Sequence, residues 1–268
     1  MQSALEKFSL KGRTAVVTGG SRGLGYNMAR ILAAAGAKVL ISARTEPVLK
    51  QAAETLSREE NADVIYATVD LADRDSVKQF AEEAEQLLGQ VDIFVGNAAM
   101  DARTFVDTLK EEVMDQLIAT NLSANLLLTK HFVEGMKERG WGRIIYISSC
   151  GAVRAGAFGS GAYASTKAGI DAYARSVSVE LGRYGITANS VLPGAYMTEM
   201  LQESFDTMDP DLARQFQDTL TSMNSLGRFG KPEELEGAVL LLASDAGSYI
   251  SGQAISVDGG FTIKSVPS

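Results

Sequence analysis

Two residues that could move a proton stand four apart in this 268-residue chain, Tyr163 and Lys167. Apolar residues at helical spacing over 162–181 predict a helix there, so the two side chains lie on one face and can reach a common ligand. A free phenol ionises near pH ~10, and a neighbouring ammonium favours the phenolate, which would make Tyr163 usable as an acid or base near neutrality. Ser148 and Ser149 close an apolar run at 143–148 that reads as a buried strand. A hydroxyl at such a strand end can bind a carbonyl oxygen. Tyrosine and lysine at this spacing also occur on ordinary helices, where they mean packing and surface charge. Their surroundings must decide.

Those surroundings alternate between two periods. β-branched or apolar runs at 14–18, 37–42, 64–69, 91–95, 143–148, 186–192 and 254–257 read as seven strands. Amphipathic stretches between them predict crossover helices, among them one long helix over 111–137 and others at 162–181 and 232–243. Strands joined by helices pair in parallel, with helices on both faces. The exception is 196–228, which is Met-rich and acidic, has helical patches and no strand, and is too long for an ordinary connection; it is expected to be a substrate lid.

Between the first strand and its helix lies Thr18-Gly19-Gly20-Ser21-Arg22-Gly23-Leu24-Gly25. Glycines there permit a tight turn and close backbone approach to a pyrophosphate, and the helix N-terminus offers free N–H donors and partial positive charge. That context raises a glycine-rich turn above a bare motif. The expected fold is therefore α/β, a single doubly wound Rossmann-type domain spanning 1–268 with a seven-stranded parallel sheet and helices on both faces. At the end of the second strand a carboxylate would bind a ribose 2′-hydroxyl, whereas a basic group would accept a 2′-phosphate. Here stand Ser42, Ala43 and Arg44. Arg44 with Arg22 offers two forked guanidiniums, which favours NADP(H), with NAD(H) as the alternative.

Taken in order, these pieces resemble the short-chain dehydrogenase/reductase family from about Leu10 to Phe261. The resemblance is carried by TGGSRGLG at 18–25, Asp70-Leu71, Asn97-Ala98-Ala99, Asn121, the serine pair, YASTK at 163–167, Pro193-Gly194, Thr198 and Asp258-Gly259-Gly260. It implies a catalytic tetrad of Asn121, Ser149, Tyr163 and Lys167, with Ser149 chosen as the second serine of its pair. It further implies that Gly19, Ser21, Arg22, Gly23, Leu24 and Gly25 cradle the cofactor with Arg44. Asp70 and Leu71 would hold adenine, Asn97 and Ala98 would lie along the dinucleotide, Pro193 and Gly194 would flank it, and Thr198 would meet the nicotinamide carboxamide. Lys167 would bind the ribose, and Asn121 would hold a relay water. The family usually has Asn-Asn-Ala-Gly after the fourth strand, and this chain has Gly96-Asn97-Ala98-Ala99, a departure that bears on sheet-to-helix hydrogen bonding and cofactor affinity. A homotetramer is implied as well.

The expected activity is reversible NADP(H)-dependent hydride transfer between a carbonyl and a secondary alcohol. Its alternatives are an NAD-dependent polyol or sugar-acid dehydrogenase, a non-catalytic dinucleotide-binding sensor or scaffold, and an epimerase of the extended relatives, which would need a longer C-terminal region. The pattern looks most like 3-oxoacyl thioester reductases and gluconate or polyol dehydrogenases. Substrate contacts are expected from Cys150, Arg154 and Tyr196, with Met100, Arg103, Val153, Phe158 and Met197 nearby. Arg154 and Arg103 could anchor a carboxylate, although solvated arginines are the plainer reading.

Composition closes other classes. Lysine and arginine number 25 against 33 acidic residues, a net charge of −8, which argues against nucleic-acid and anionic-membrane partners. One histidine, His131, and one cysteine cannot build a His/Cys zinc site, so no metal is expected. No apolar run approaches the ~20 residues of a membrane helix, and the start lacks a signal-peptide layout, so a cytoplasmic protein is expected. His131 and Trp141 read as packing residues.

Overall fold

The computed structural model describes residues 3–155 and 159–265, so Phe158 lies outside the described residues. Seven strands form one all-parallel sheet: β1 (Thr14–Thr18), β2 (Lys38–Ala43), β3 (Val64–Thr68), β4 (Ile93–Gly96), β5 (Gly142–Ile147), β6 (Ile186–Pro193) and β7 (Ala254–Val257). Their order is β3-β2-β1-β4-β5-β6-β7. The order reverses between β1 and β4, which opens a crevice at the carboxyl ends of those two strands.

Side chains alternate across the sheet because a strand's period is two. Val17, Ile41, Val95, Ile145 and Val191 face one layer, where they meet α1 (Gly23–Ala34), α2 (Glu46–Glu60) and α9 (Glu236–Ala243) through Met28, Leu49 and Val239. Val16, Leu40, Phe94, Tyr146 and Ala188 face the other, against α3 (Arg74–Leu88), α5 (Ala124–Arg139) and α6 (Gly161–Leu181). Local chemistry sets the helix ends. Asp73 caps α3 by accepting from the N–H groups of Asp75 and Ser76, and Gly140 ends α5 in a left-handed conformation.

The single helix expected over 111–137 is instead broken. α4 (Glu111–Ile118) and α5 are separated by a π turn at Ala119–Ser123, where the Ala124 N–H reaches back to the Ala119 carbonyl. One extra residue enters the helix without a glycine or proline to announce it, and π turns of this kind gather at functional sites. Segment 196–230 carries α7 (Glu199–Asp206) and α8 (Pro210–Ser222), closed at its base by a bridge between Tyr196 and Gly230. Phe205 packs against both Phe216 and Phe229 there. No helix among the described residues is long and apolar enough to cross a membrane.

At the sheet centre Phe94 is fully buried, edge-on to Phe132 at 5.5 Å and Tyr146 at 6.3 Å. Phe94→Ala should lower unfolding stability by about 3–5 kcal/mol, through lost transfer energy and a residual cavity, measured as a shift in denaturation midpoint. A loss under 1 kcal/mol would mean that this cluster is not the packed centre described.

Candidate active site

Three structural supports converge at the carboxyl edge of the sheet. The first is the turn after β1. Gly19 has φ +68°, and a side chain there would meet Asn97 Nδ2 at 2.8 Å and Ala98 Cα at 3.0 Å. A Cβ on Gly25 would overlap the Gly19 carbonyl oxygen. The Gly19 and Gly20 N–H groups donate to the Ser42 carbonyl, which ties the turn to β2. Asn97 braces it from β4: its Nδ2 donates to the carbonyls of Thr18 (2.8 Å) and Gly19 (3.2 Å), and its own N–H donates to Thr18 Oγ1. Thr18 and Asn97 are thus a clamp that the motif alone does not reveal.

This turn fits a dinucleotide phosphate group. The residue before α1 is Arg22, whose side chain does not cap the helix, so the first-turn N–H groups remain available. Arg22 and Arg44 are exposed, and no hydrogen bond or ion pair engages either guanidinium among the described residues. The buried Ser42 hydroxyl beside the turn has no hydrogen-bond partner. Thr198 caps α7 and stands over Gly23, its Cγ2 3.7 Å from where a Cβ would sit. Leu71 is buried, while Asp70 is exposed with its carboxylate bound to the Ala72 N–H.

The second support is the β5 end with α6. Lys167 is 3% exposed, and its Nζ donates to the Ile147 carbonyl at 2.6 Å and lies 5.6 Å from the centre of the Tyr163 ring. Burial depresses its pKa to about 8, against the opposing pull of Asp171. Ser148 is buried, with its hydroxyl donating to the Lys167 carbonyl. Ser149 is half-buried, accepts from the Gly151 N–H, and lowers the proton affinity of Tyr163. The two serines therefore differ: Ser148 is buried and bonded to α6, and Ser149 is half-buried.

The phenol itself corrects an expectation. Tyr163 is pushed up to about 12, first by burial and then by the Asp101 carboxylate, with Ser149 drawing it partly back. The lysine ammonium, though 5.6 Å from the ring centre, does not bring the phenol down toward neutrality. Its hydrogen bond to Ile147 turns it to the strand, and burial weakens its own charge.

The third support is the π turn. Asn121 is 1% exposed and holds the Met100 backbone from both sides, Oδ1 accepting from its N–H at 2.8 Å and Nδ2 donating to its carbonyl at 2.9 Å. The same Nδ2 donates to Thr166 Oγ1, and Thr166 in turn donates to the Tyr163 carbonyl. Both amide protons of Asn121 are thereby used, so a water bound at this residue would have to meet its main-chain carbonyl. Asn125 Nδ2 already donates to that carbonyl at 2.9 Å. Asn125 also explains Gly96. A Cβ there would overlap Asn125 Oδ1 and lie 3.2 Å from Tyr146 Cδ1. An amide from α5 thus occupies the space that a side chain at the β4 end would need. Ala99 is exposed, its methyl free of the sheet.

The expected substrate contacts fare unevenly. Cys150 is half-buried beside Ser149, its thiol pushed up to about 11 by burial and by Asp258, which makes it a wall rather than a nucleophile. Arg154 and Tyr196 need correction. The Arg154 guanidinium donates to the Phe261 carbonyl and covers the Phe261 ring at 4.7 Å, so it secures the C-terminal segment instead of waiting for a carboxylate. Tyr196 is buried, with its hydroxyl donating to the Val257 carbonyl at 2.9 Å. Arg103 and Val153 are exposed; Met100 and Met197 are half-buried, and the Met197 N–H donates to Gly230. Outside the crevice, His131 pairs with Glu85, and Trp141 is sandwiched by Arg13 and Arg143. No cluster of three or more His, Cys, Asp or Glu able to hold a metal occurs among the described residues.

A seven-stranded parallel sheet, a glycine turn opening α1, and Ser149, Tyr163 and Lys167 at the adjoining strand end define a dinucleotide-fold oxidoreductase scaffold. The chain belongs to the short-chain dehydrogenase/reductase family: residues 19–262 match the family model described as enoyl-(acyl carrier protein) reductase. It is 35% identical to the 3-oxoacyl-(acyl-carrier-protein) reductase of Chlamydia trachomatis over 251 residues, covering 94% of this chain and 98% of that protein. It is 32% identical to the gluconate 5-dehydrogenase of Gluconobacter oxydans over 256 residues, covering 96% and 97%. The crystal structure of a gluconate 5-dehydrogenase from Burkholderia cenocepacia in complex with NADP and tartrate has a TM-score of 0.88 and 32% identity, covering 98% of this chain and 100% of that one.

The Gly96 and Asn125 packing is testable. Gly96→Asn alone should destabilise the protein by about 1–3 kcal/mol through overpacking, and adding Asn125→Ser should recover most of the loss. Equal denaturation midpoints for the parent and Gly96→Asn would contradict that packing.

Proposed function

We propose that this protein catalyses reversible NADP(H)-dependent hydride transfer between a carbonyl and a secondary alcohol. The observation that carries the reading is the placement of Ser149, Tyr163 and Lys167 together at the β5 edge, next to a glycine turn whose helix N-terminus is uncapped.

The nicotinamide nucleotide, when bound, supplies or accepts the hydride. Gly19, Ser21, Gly23, Leu24 and Gly25 would hold its pyrophosphate, and Asp70, Leu71, Asn97, Ala98, Pro193, Gly194 and Thr198 would line its remaining length. Arg22 and Arg44 are the groups to grip a 2′-phosphate, and they support NADP over NAD, as does the NADP found in the Burkholderia relative. Ser149 Oγ orients the carbonyl oxygen of the substrate. Tyr163 Oη donates its proton to that oxygen as negative charge grows there, and takes it back in the oxidative direction. Lys167 holds the nicotinamide ribose and returns a proton to Tyr163. Asn121 keeps Met100 and the Tyr163 turn of α6 in place. Helices α7 and α8, with their Phe205 cluster, act as the lid over the substrate. The two named activities among the relatives, on 3-oxoacyl thioesters and on gluconate, set the classes to assay first.

The protonation states give the reaction a pH sense. A phenol at about 12 keeps its proton through the neutral range, so reduction starts with the acid in hand, and oxidation needs phenolate. Lys167 loses its proton above about pH 8. Reductive turnover should therefore decline above about pH 8 while oxidative turnover rises with pH, read from initial rates in both directions; parallel profiles would contradict the assignment.

Tyr163→Phe should cut turnover by at least ~10²-fold with NADPH binding nearly intact. Arg22→Ala with Arg44→Ala should weaken NADPH and leave NADH affinity within about twofold. Binding titrations and carbonyl-panel rates read both. NADPH binding without consumption on any ketone, keto acid or acyl thioester would instead favour a sensor.

A further inference from the structure

On the same face of α6 as Lys167 lies a buried acid that the reading above does not use. Asp171 is one helical turn further along α6 and on the same face, 6% exposed. Its neighbours are Ser148 from the β5 end and Ser190 from β6, themselves buried. Asp171 Oδ1 and Ser190 Oγ each lack a hydrogen bond of full geometry, so an unsatisfied acceptor and an unsatisfied donor stand side by side in the interior. Ser148 gives its proton to the Lys167 carbonyl, which joins the acid's surroundings to the lysine's own turn of helix.

We propose that Asp171 is a positioning residue for Lys167: a buried carboxylate, seated against Ser148 and Ser190, that holds the lysine as an ammonium from one helical turn away while its Nζ faces the β5 end. The proposal rests on the role given to Lys167 above. An ammonium in the interior is unfavourable unless an opposite charge accompanies it. Lys167 forms no direct ion pair among the described residues, and its hydrogen bond goes to the neutral Ile147 carbonyl. The accompanying charge acts across a short stretch of low-dielectric interior, where attraction is poorly screened.

The surrounding groups agree with this arrangement. Asp171 is the charged group that opposes the fall in Lys167 basicity caused by burial. Burial raises the proton affinity of Asp171 itself, and Ser190, Ser148, Arg175 and Lys167 draw it back. From β5 and β6 come hydroxyls and carbonyls, from the π turn the Asn121 amide through Thr166, and on the crevice side stands Tyr163. Direct contact would hold Lys167 against the acid. An acid one turn away leaves Nζ free to exchange the Ile147 carbonyl for a ribose hydroxyl.

Asp171→Asn keeps size and hydrogen bonding and removes the charge. With lysine carbons labelled, the Lys167 amine is followed through a pH titration by NMR, its signal assigned by its loss in Lys167→Met. The expected result is a tenfold or greater loss of proton affinity, moving the Lys167 titration about one unit or more below that of the parent, with the descending limb of reductive kcat/KM moving alongside. Ser190→Ala, which leaves the carboxylate but removes the hydroxyl beside it, should move the titration the same way by less, and serves if the Asn variant does not fold. An unmoved Lys167 titration in a folded variant overturns the proposal. Retained turnover in Tyr163→Phe would defeat the functional reading separately, and the titration would still decide the role of Asp171.

Discussion

A lysine ammonium confined within the sheet edge is the constraint around which this molecule is arranged. Water would solvate that charge far better than a protein interior, so Lys167 can stay inside only if the interior is polar where it sits. The polarity comes from several elements at once: the last carbonyl of β5, a serine that closes the strand, an acid from its own helix, and a π turn whose asparagine fixes the preceding residue. Each contribution is local and modest. Together they fix the direction of α6 against β5, and that direction brings Tyr163 beside Ser149. On the proposed reading the unfavourable burial is put to use, since a weakened ammonium surrenders and regains protons more readily than an exposed one.

Much of this was legible before any coordinates. Strands such as 14–18 and 143–148 announce themselves because both of their faces are covered, so each carries an uninterrupted apolar run, at 15–17 and 144–147. The glycine turn was legible because its spacing follows from backbone geometry, whereas Ser149 was chosen over Ser148 by family resemblance, as the second serine of its pair. What escaped was set by partners far away in the chain. Arg154 reads as a free cation until Phe261, 107 residues on, takes its guanidinium. Gly96 reads as a loss until Asn125 fills its place. The break at Ala119–Ser123 has no compositional mark, since a π turn inserts a residue without needing a special one. The Tyr163 proton affinity was misjudged because spacing shows that a lysine is near but not where its amine points.

The same distinction explains why a reaction class emerges more readily than a substrate. Proton transfer requires a few groups held by the sheet, and the sheet is shared with relatives that reduce 3-oxoacyl thioesters and oxidise gluconate. On the proposed reading, substrate choice would fall to the segment after β4, the 150s turn and helices α7 and α8. There, exposed side chains such as Phe105, Val106, Met200 and Leu212 replace packed ones, and with Arg154 committed elsewhere the rim presents Asp101 next to Tyr163. A carboxylate in that place disfavours a second negative charge close to the phenol.

On the proposed reading, the interior charge of Lys167 is required for the chemistry and not for the fold. The most direct measurement is the single-turnover rate of carbonyl reduction by Lys167→Met under saturating NADPH, taken with its thermal melt. The expected rate is reduced at least ~10²-fold, in a protein that melts at or above the parent temperature, since a buried charge has been replaced by an apolar chain of similar size. A rate close to that of the parent, with NADPH fully bound, would contradict it.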